Sequence, residues 1–300
     1  MFHRTLALAA SLLFLMAASR ADETYTIKVN RDDKGGEKYH LSMTEKGGHN
    51  IVVTGADGGV LNEDNQAVDK SVVLEKTILL VKTGQKRPEK VAVKFIKVHD
   101  NKNGDYGLTG KTVLAELKDK KYECKIEGGG ELSEAALKLL KSDILKEEDE
   151  GPDFEELALP GKPVAIGETW KCKMGEITKE MERKMQGMKL DADKAKGTGK
   201  LTKVYKKDGR TFGQFEITIE MPLAKSATVN GVDFNFKEGS KFKVALNFDG
   251  CIDGSAQEGT MAAKMDFTMK GNITANGMEL PITGTGDSKL SEERKDLTGK

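Results

Sequence analysis

Few residues in this chain have the types and spacing that chemistry requires. Gly107-Leu-Thr-Gly-Lys-Thr112 ends as a phosphate-binding loop ends, but Asp105 stands where that motif needs its first glycine. The residues after Thr112 read as a strand, where a helix N-terminus should meet the phosphate. From His99 to Asp105, the residues Asn101, Asn103 and Gly104 fall at calcium-loop offsets. His99 then occupies the first ligand position, and Gly110 stands where the bidentate glutamate belongs, so a hairpin turn at Asn103-Gly104 accounts for the run equally well. Beyond His3 the histidines are His40, His49 and His99, with no His-x-x-x-His pair and no Gly-x-Ser-x-Gly elbow. Cys251, in the turn Asp249-Gly-Cys-Ile-Asp-Gly254, is the thiol expected to be most exposed, and a distant histidine would be its only base. The 48 acidic residues are spread through the chain and single out no catalytic pair. The acidic run from Glu147 to Glu156 reads as a solvated linker. The reading is therefore non-enzymatic, with no cofactor and no metal, and a hydrolase is its remote alternative.

The methionines carry more signal. Of 12, nine lie between Met174 and Met278. Thioethers select Cu(I) when His or Cys stands nearby, and here neither clusters with them. Met also suits an apolar surface that adapts to its guest, or simply a core. Phe242, Val244, Leu246 and Phe248 alternate with polar residues; so do Met261, Ala263, Met265, Phe267 and Met269, then Met278, Leu280 and Ile282. Side chains on a strand alternate between faces, so each run has one dry and one wet face. A helix predicted over 176–190 sets Ile177, Met181, Met185 and Met188 at helical spacing, with Gly187 weakening it. The residues expected to line an apolar ligand are Met181, Met185, Met188, Phe242, Leu246, Met265, Phe267 and Met269.

Those runs must be positioned by a mainly β fold. Strand patterns begin at Tyr25/Ile27/Val29 and Tyr39/Leu41/Met43, continue through Val72–Val81 and Val91–Val98, and turn at Asn103-Gly104 and Asp119. Short strands joined by polar turns predict strongly curved antiparallel meander sheets, with one or two helices on the concave apolar face. The first helix is predicted over 133–147, N-capped by Ser133, with a Leu132–Leu137 staple and a stripe of Leu137, Leu140 and Ile144. Three of the six prolines fall in 151–163, the best boundary between halves. The chain then divides into a leader (1–21), a β-meander half (22–150), a connecting segment (151–168) and a second β-meander half (169–300). Cys124 and Cys172 both point inward by alternation, which permits a Cys124–Cys172 disulfide or free core thiols.

His3 and Arg4 precede an apolar run from Leu6 to Ala18, with small residues at Ser19 and Ala21, the pattern of a cleaved secretory signal. No later stretch approaches the roughly 20 apolar residues of a spanning helix. Removing Arg4 and Arg20 with the leader takes the basic count from 48 to 46 against 48 acids. Near-neutral balance offers no footprint for nucleic acid. The expected location is periplasmic or secreted.

Leu159-Pro-Gly-Lys-Pro-Val-Ala-Ile-Gly-Glu-Thr-Trp170 resembles the L-P-x-K-P-V-x-x-G-x-T-W segment of a family of uncharacterised exported bacterial proteins carrying a domain of unknown function. The resemblance implies no catalytic or ligand residues. Locally, Pro160 and Pro163 hold an extended segment, Gly167 permits a tight turn, and Trp170 enters the sheet as a large anchor. The architecture is similar to envelope lipoprotein-carrier folds, and two functions follow as expectations. One is a module binding a lipid or lipidated partner between sheet and helix. The other is a structural or protein-interaction module, with an envelope protein as partner, whose apolar faces are filled by its own side chains.

Overall fold

The computed structural model describes residues 23–29, 33–83, 85, 87–147, 151–152, 154–185, 187–229, 231–275 and 277–298. The leader lies outside the described residues. Strands dominate, as the alternation requires. In chain order they are β1 (Thr24–Tyr25), β2 (Lys38–Thr54), β3 (Val60–Leu80), β4 (Lys90–Asp100), β5 (Thr112–Lys118), β6 (Lys121–Ile126), β7 (Val164–Ala165) and β8 (Thr169–Lys171). They continue with β9 (Lys196–Lys207), β10 (Arg210–Pro222), β11 (Ser226–Val229), β12 (Val232–Phe236), β13 (Lys241–Cys251), β14 (Gly259–Ala275) and β15 (Met278–Asp296). Thirteen of these form one antiparallel sheet in the order β6-β5-β4-β3-β2-β15-β14-β13-β10-β9-β8, with β12 also on β14 and β11 on β12. No pairing among the described residues closes it. A separate pair, β1 with β7, ties the N-terminal segment to the connecting segment.

The two sets of strands meet along one seam. β2 pairs with β15 without a register break, from Tyr39↔Asp296 to Val53↔Ile282. Directly opposed residues share a face, so register carries one face across the whole sheet, apolar in two regions with Lys76, Glu292 and Arg294 between them. Val93↔Val113 and Leu41↔Leu74 lie on it in the first set; Phe242↔Phe267 and Leu246↔Ala263 lie on it in the second. Two cores sit there. The first gathers Leu74, Phe95, Val113 and Tyr122 under a helix bearing Leu139 and Leu140. The second gathers Phe215, Ile217, Met269 and Ile282 with Ile27, Leu157 and Ile177 from the covering segments. The opposite face presents Lys, Asp, Glu, Ser and Thr.

The helices depart from expectation at their ends. Ser133 caps α1 (Glu134–Lys138), its hydroxyl accepting from the Ala136 N–H at 3.1 Å. The chain then widens into a π-helical turn over Leu139–Ile144, with the Leu145 N–H bonded to Leu140 O at 2.8 Å. Widening shifts the buried stripe, so that Ala136, Leu139, Leu140, Ile144 and Leu145 are buried and Leu137 is only half-buried. The start of the acidic run is built in: Glu147 accepts the outward N–H of Tyr122 on edge strand β6 at 2.7 Å. Such an edge needs cover, and this carboxylate supplies part of it. Within the connecting segment, α2 (Phe154–Ala158) is a single turn that the breakers around it concealed. The second predicted helix is shorter than 176–190. As α3 it spans Met174–Lys184, and Gly187 (φ 106°) turns the chain out of the helix. Glu182 then accepts the Leu190 N–H at 2.8 Å, and Leu190 bridges to Leu223, so Met188 belongs to no helical stripe.

Backbones crowd where β2 crosses its neighbours. A Cβ on Gly47 would stand 2.0 Å from Asp287 O, and one on Gly286 would stand 2.7 Å from Gly48 O. Backbone cannot swing aside as a side chain can. Gly47→Ala should therefore lower stability by about 2–4 kcal/mol. Gly161→Ala, which meets nothing within 4 Å, should stay within about 0.5 kcal/mol. Urea midpoints of the two variants check this.

Candidate functional site

The expected apolar site is largely filled. Leu246 and Phe248 lie under Val29, Ala158 and Leu159, and the space left beside Phe215 and Met261 is ≈ 20 Å³. That is on the order of one water molecule. The cover over these strands is thus the N-terminal segment with α2 and the connecting segment, and α3 is not among the residues bounding that space. Met181, Met185 and Met188 are half-buried against the second core, as are Phe242 and Leu246. Met269 is buried, its Cε within 2.9 Å of where a Gly284 Cβ would sit. Phe267 covers Gly286 and lies 6.0 Å from the Phe242 ring. Met265 keeps 39% of its surface exposed. The methionines are therefore dispersed around one core and do not line a common chamber.

The 159–170 segment does much of the covering. Trp170 is buried; its indole N–H donates to Ala158 O at 2.8 Å, and its ring occupies the space over Gly199. Phe215 meets it edge-on at 6.3 Å. Pro160 is half-buried and Pro163 exposed, while Gly167 (φ 87°) turns the chain so that its N–H reaches Leu201 O at 2.7 Å.

The three cysteines decide one open alternative and correct one expectation. All are free. Cys124 belongs to the first core and Cys172 to the second, so no Cys124–Cys172 bridge forms. Burial pushes both thiols up to about 11. Cys251 is the opposite of exposed, at 1%. It packs with Phe212 and Ala256, and its thiol donates to Asp253 Oδ1 at 3.2 Å. The neighbouring strand supplies Phe212, which the turn's own sequence does not show.

The other chemical candidates are spent on structure. Asn101 accepts the Asp69 N–H and donates to Ala67 O, closing part of the β3 edge beyond the end of β4. Asp100 accepts the N–H groups of Lys102 and Asn103, and Tyr106 donates to it at 2.6 Å. Thr112 opens β5, a strand as expected. His49 meets Asp64 at 3.0 Å, and His99 is exposed on β4. Among the described residues no cluster of His, Cys, Asp or Glu could hold a metal.

A larger hollow lies on the polar face. It is a trough of ≈ 600 Å³ crossing β2, β15, β14, β13, β10 and β9. Ser42, Thr260, Ala262 and Ser291 give it small side chains, and Gln214, Asn247 and Thr202 line it with neutral polar groups. Its carboxylates on this face are Glu216, Asp249 and Glu293, and no lysine or arginine lines it. Asp249 accepts the Tyr205 hydroxyl at 2.6 Å and the Gln214 amide at 2.9 Å. Burial, then that bond to Asp249, pushes the Tyr205 phenol up to about 12. Sequence reasoning missed this trough, because each of its residues alone reads as an ordinary wet-face position. Only register brings Ser42, Glu293, Thr260, Asp249 and Gln214 into one row.

Two measurements follow from these groups. The native chain keeps the Tyr205 proton to about pH 12, whereas an unfolded tyrosine loses it near pH 10. This contribution to stability is complete below about pH 10 and is lost as pH rises toward 12. At about pH 11 tyrosinate absorbance of the native chain should stay below that of the urea-unfolded chain, and Tyr205→Phe should narrow the gap. Thiol titration should find Cys124, Cys172 and Cys251 slow in the native state and all three reactive on unfolding.

Comparison with known proteins identifies no relative. No family model matches the chain, and no curated protein matches it. Among solved structures, OpdQ of Pseudomonas aeruginosa aligns over 87% of this chain and 98% of its own, at 8% identity and a TM-score of 0.23. At that TM-score the likeness carries no argument about fold or function.

Proposed function

We propose that this chain is an exported, non-enzymatic interaction module that works in the periplasm or outside the cell, through its surface and not through an apolar chamber. The observation that carries this reading is the ≈ 20 Å³ left where Val29, Ala158 and Leu159 cover Leu246, Phe248 and Met261. Lipid-sized ligands occupy cavities of about 300–1,000 Å³. The carrier reading would need the connecting segment to lift away, breaking the Trp170–Ala158 hydrogen bond and exposing Leu157, Val164 and Phe215. Most charged residues lie on the other face of the sheet, while Lys76, Glu292 and Arg294 sit on the apolar face between the two cores. Export rests on the leader pattern at 1–21, and no helix among the described residues is long and apolar enough to cross a membrane.

Native mass spectrometry of the protein taken from its own compartment tests this reading. The expected spectrum is the lipid-free chain, with no uptake of an environment-sensitive apolar dye. A stoichiometric co-purifying lipid would sink the interaction-module reading and restore the carrier.

A further inference from the structure

We infer that this chain binds a second copy of itself edge to edge, the open start of β3 in one copy lying beside the open end of β9 in the other. The inference names a partner for the interaction-module reading and rests on it. β4 stops pairing with β3 at Lys70↔Asp100. Beyond that point Asn101 engages only Ala67 O and the Asp69 backbone. Among the described residues no strand lies beside the outer side of Val60–Gln66. The backbone groups of Ala67 and Asp69 point outward to Asn101, and alternation points those of Glu63 and Asn65 the same way. At the far end of the sheet β8 stops pairing with β9 at Thr169↔Lys200, and Gly167 and Glu168 meet Leu201. From Thr202 to Lys207 the outer side of β9 also lacks a partner strand among the described residues. Asp208 and Gly209 (φ 51° and 76°) form the two-residue hairpin turn that bonds Lys207 to Arg210. Alternation then turns the backbone groups of Val204 and Lys206 outward.

Charge and direction select the pairing. Glu63 accepts from the Asn50 amide, and Asp64 is held by His49 and Gln66. Lys102 reaches this edge but donates to Gln66. On β9, Lys203 lies over the Tyr205 ring, Lys206 donates to the Thr211 hydroxyl, and Lys207 is already paired with Glu258. Among the described residues no lysine or arginine pairs with Glu63 or Asp64, and no carboxylate pairs with Lys203 or Lys206. Like charges therefore oppose either edge meeting the same edge of another copy, which is how charged edges protect a sheet. The two different edges attract. An even number of antiparallel pairings leads from β3 through β2, β15, β14, β13 and β10 to β9, so β3 and β9 run in the same direction. A second copy displaced along the sheet thus meets the first in parallel, whereas an antiparallel approach would drive β3 into β8. With Glu63 beside Tyr205, the outward groups of Glu63 meet those of Val204 and Lys206, as parallel bonding requires. Asp64 then stands beside Lys206 on one face, and Glu63 lies between Lys203 and Lys207 on the other.

Sedimentation equilibrium of the purified protein, from micromolar to near-millimolar concentration, tests the pairing. At about 50 mM salt the average mass should climb past twice that of the single chain, because two unlike edges do not close on a pair. It should fall back toward the single chain at about 300 mM. The double variants Glu63→Lys, Asp64→Lys and Lys203→Glu, Lys206→Glu should each stay monomeric. Mixed together they should assemble again, since the edge that each retains complements the edge retained by the other. Amide exchange at Glu63, Asn65 and Lys206 should slow on assembly. A mass independent of concentration, assembly of either double variant alone, a mixture that stays monomeric, or unchanged exchange at those three amides would each overturn the inference. Should either variant fail to melt like the native chain, the mass and amide exchange of the native chain decide. Monomeric, lipid-free protein refutes the pairing and leaves the interaction module standing. Stoichiometric lipid refutes the module whatever the masses show.

Discussion

The pairing of β2 with β15 is what makes two sets of strands into one sheet. Over Tyr39–Val53 and Ile282–Asp296 the register never slips, and a slip of one residue would exchange the two faces of everything beyond it. Tyr39 and Leu41 would stay with β3 in the first core, while Ile51 and Val53 at the other end of β2 would leave the second. The crowding at Gly47 and Gly286 pins that register sterically, because a side chain there would strike backbone. Both cores and the trough inherit their geometry from this seam.

Much of the fold was legible locally. Phe242–Phe248 and Met261–Met269 alternate as strands, and their register pairs them face to face, Phe248 opposite Met261 and Phe242 opposite Phe267. Ser133 announced its helix by residue type alone, and its hydroxyl makes the expected cap. The failures share a cause. Helical spacing alone extends α3 through Met188, but Gly187 adopts a left-handed conformation and Glu182 captures the Leu190 N–H, a competition between elements that spacing does not express. Cys251 sits in a polar turn, yet Phe212 arrives over it from β10. Such burial is decided by the neighbour, and the turn's own composition is silent about it.

The same limit governed the site. The Met-rich pattern was visible and the cover over it was not, since that cover is assembled from Val29, Ala158 and Leu159, far apart in sequence from Leu246. A dry face in a sequence says that something must bury it; which segment does so depends on the topology. Conversely the trough is built from Ser, Thr, Asn and Glu at positions that any solvated strand could carry. Only the pairing across six strands makes them neighbours.

The seam also has a consequence in time. Its second strand, β15, spans Met278–Asp296, so during synthesis β2 waits for a partner until more than two hundred further residues have been made. Through that interval β2 presents an unpaired edge, joined only at its end by that of β14, and edges of this length template unwanted pairing. Charged and polar residues along β2, among them Lys38, Glu45 and Lys46, lower that hazard without interrupting the strand. A chain arrested before β15 would hold two partly formed sheets with their central edges open, and its fate would fall to chaperones or proteases. Completion of the sheet is thus a late checkpoint, governed by sequence separation, in a molecule whose every hairpin can form early.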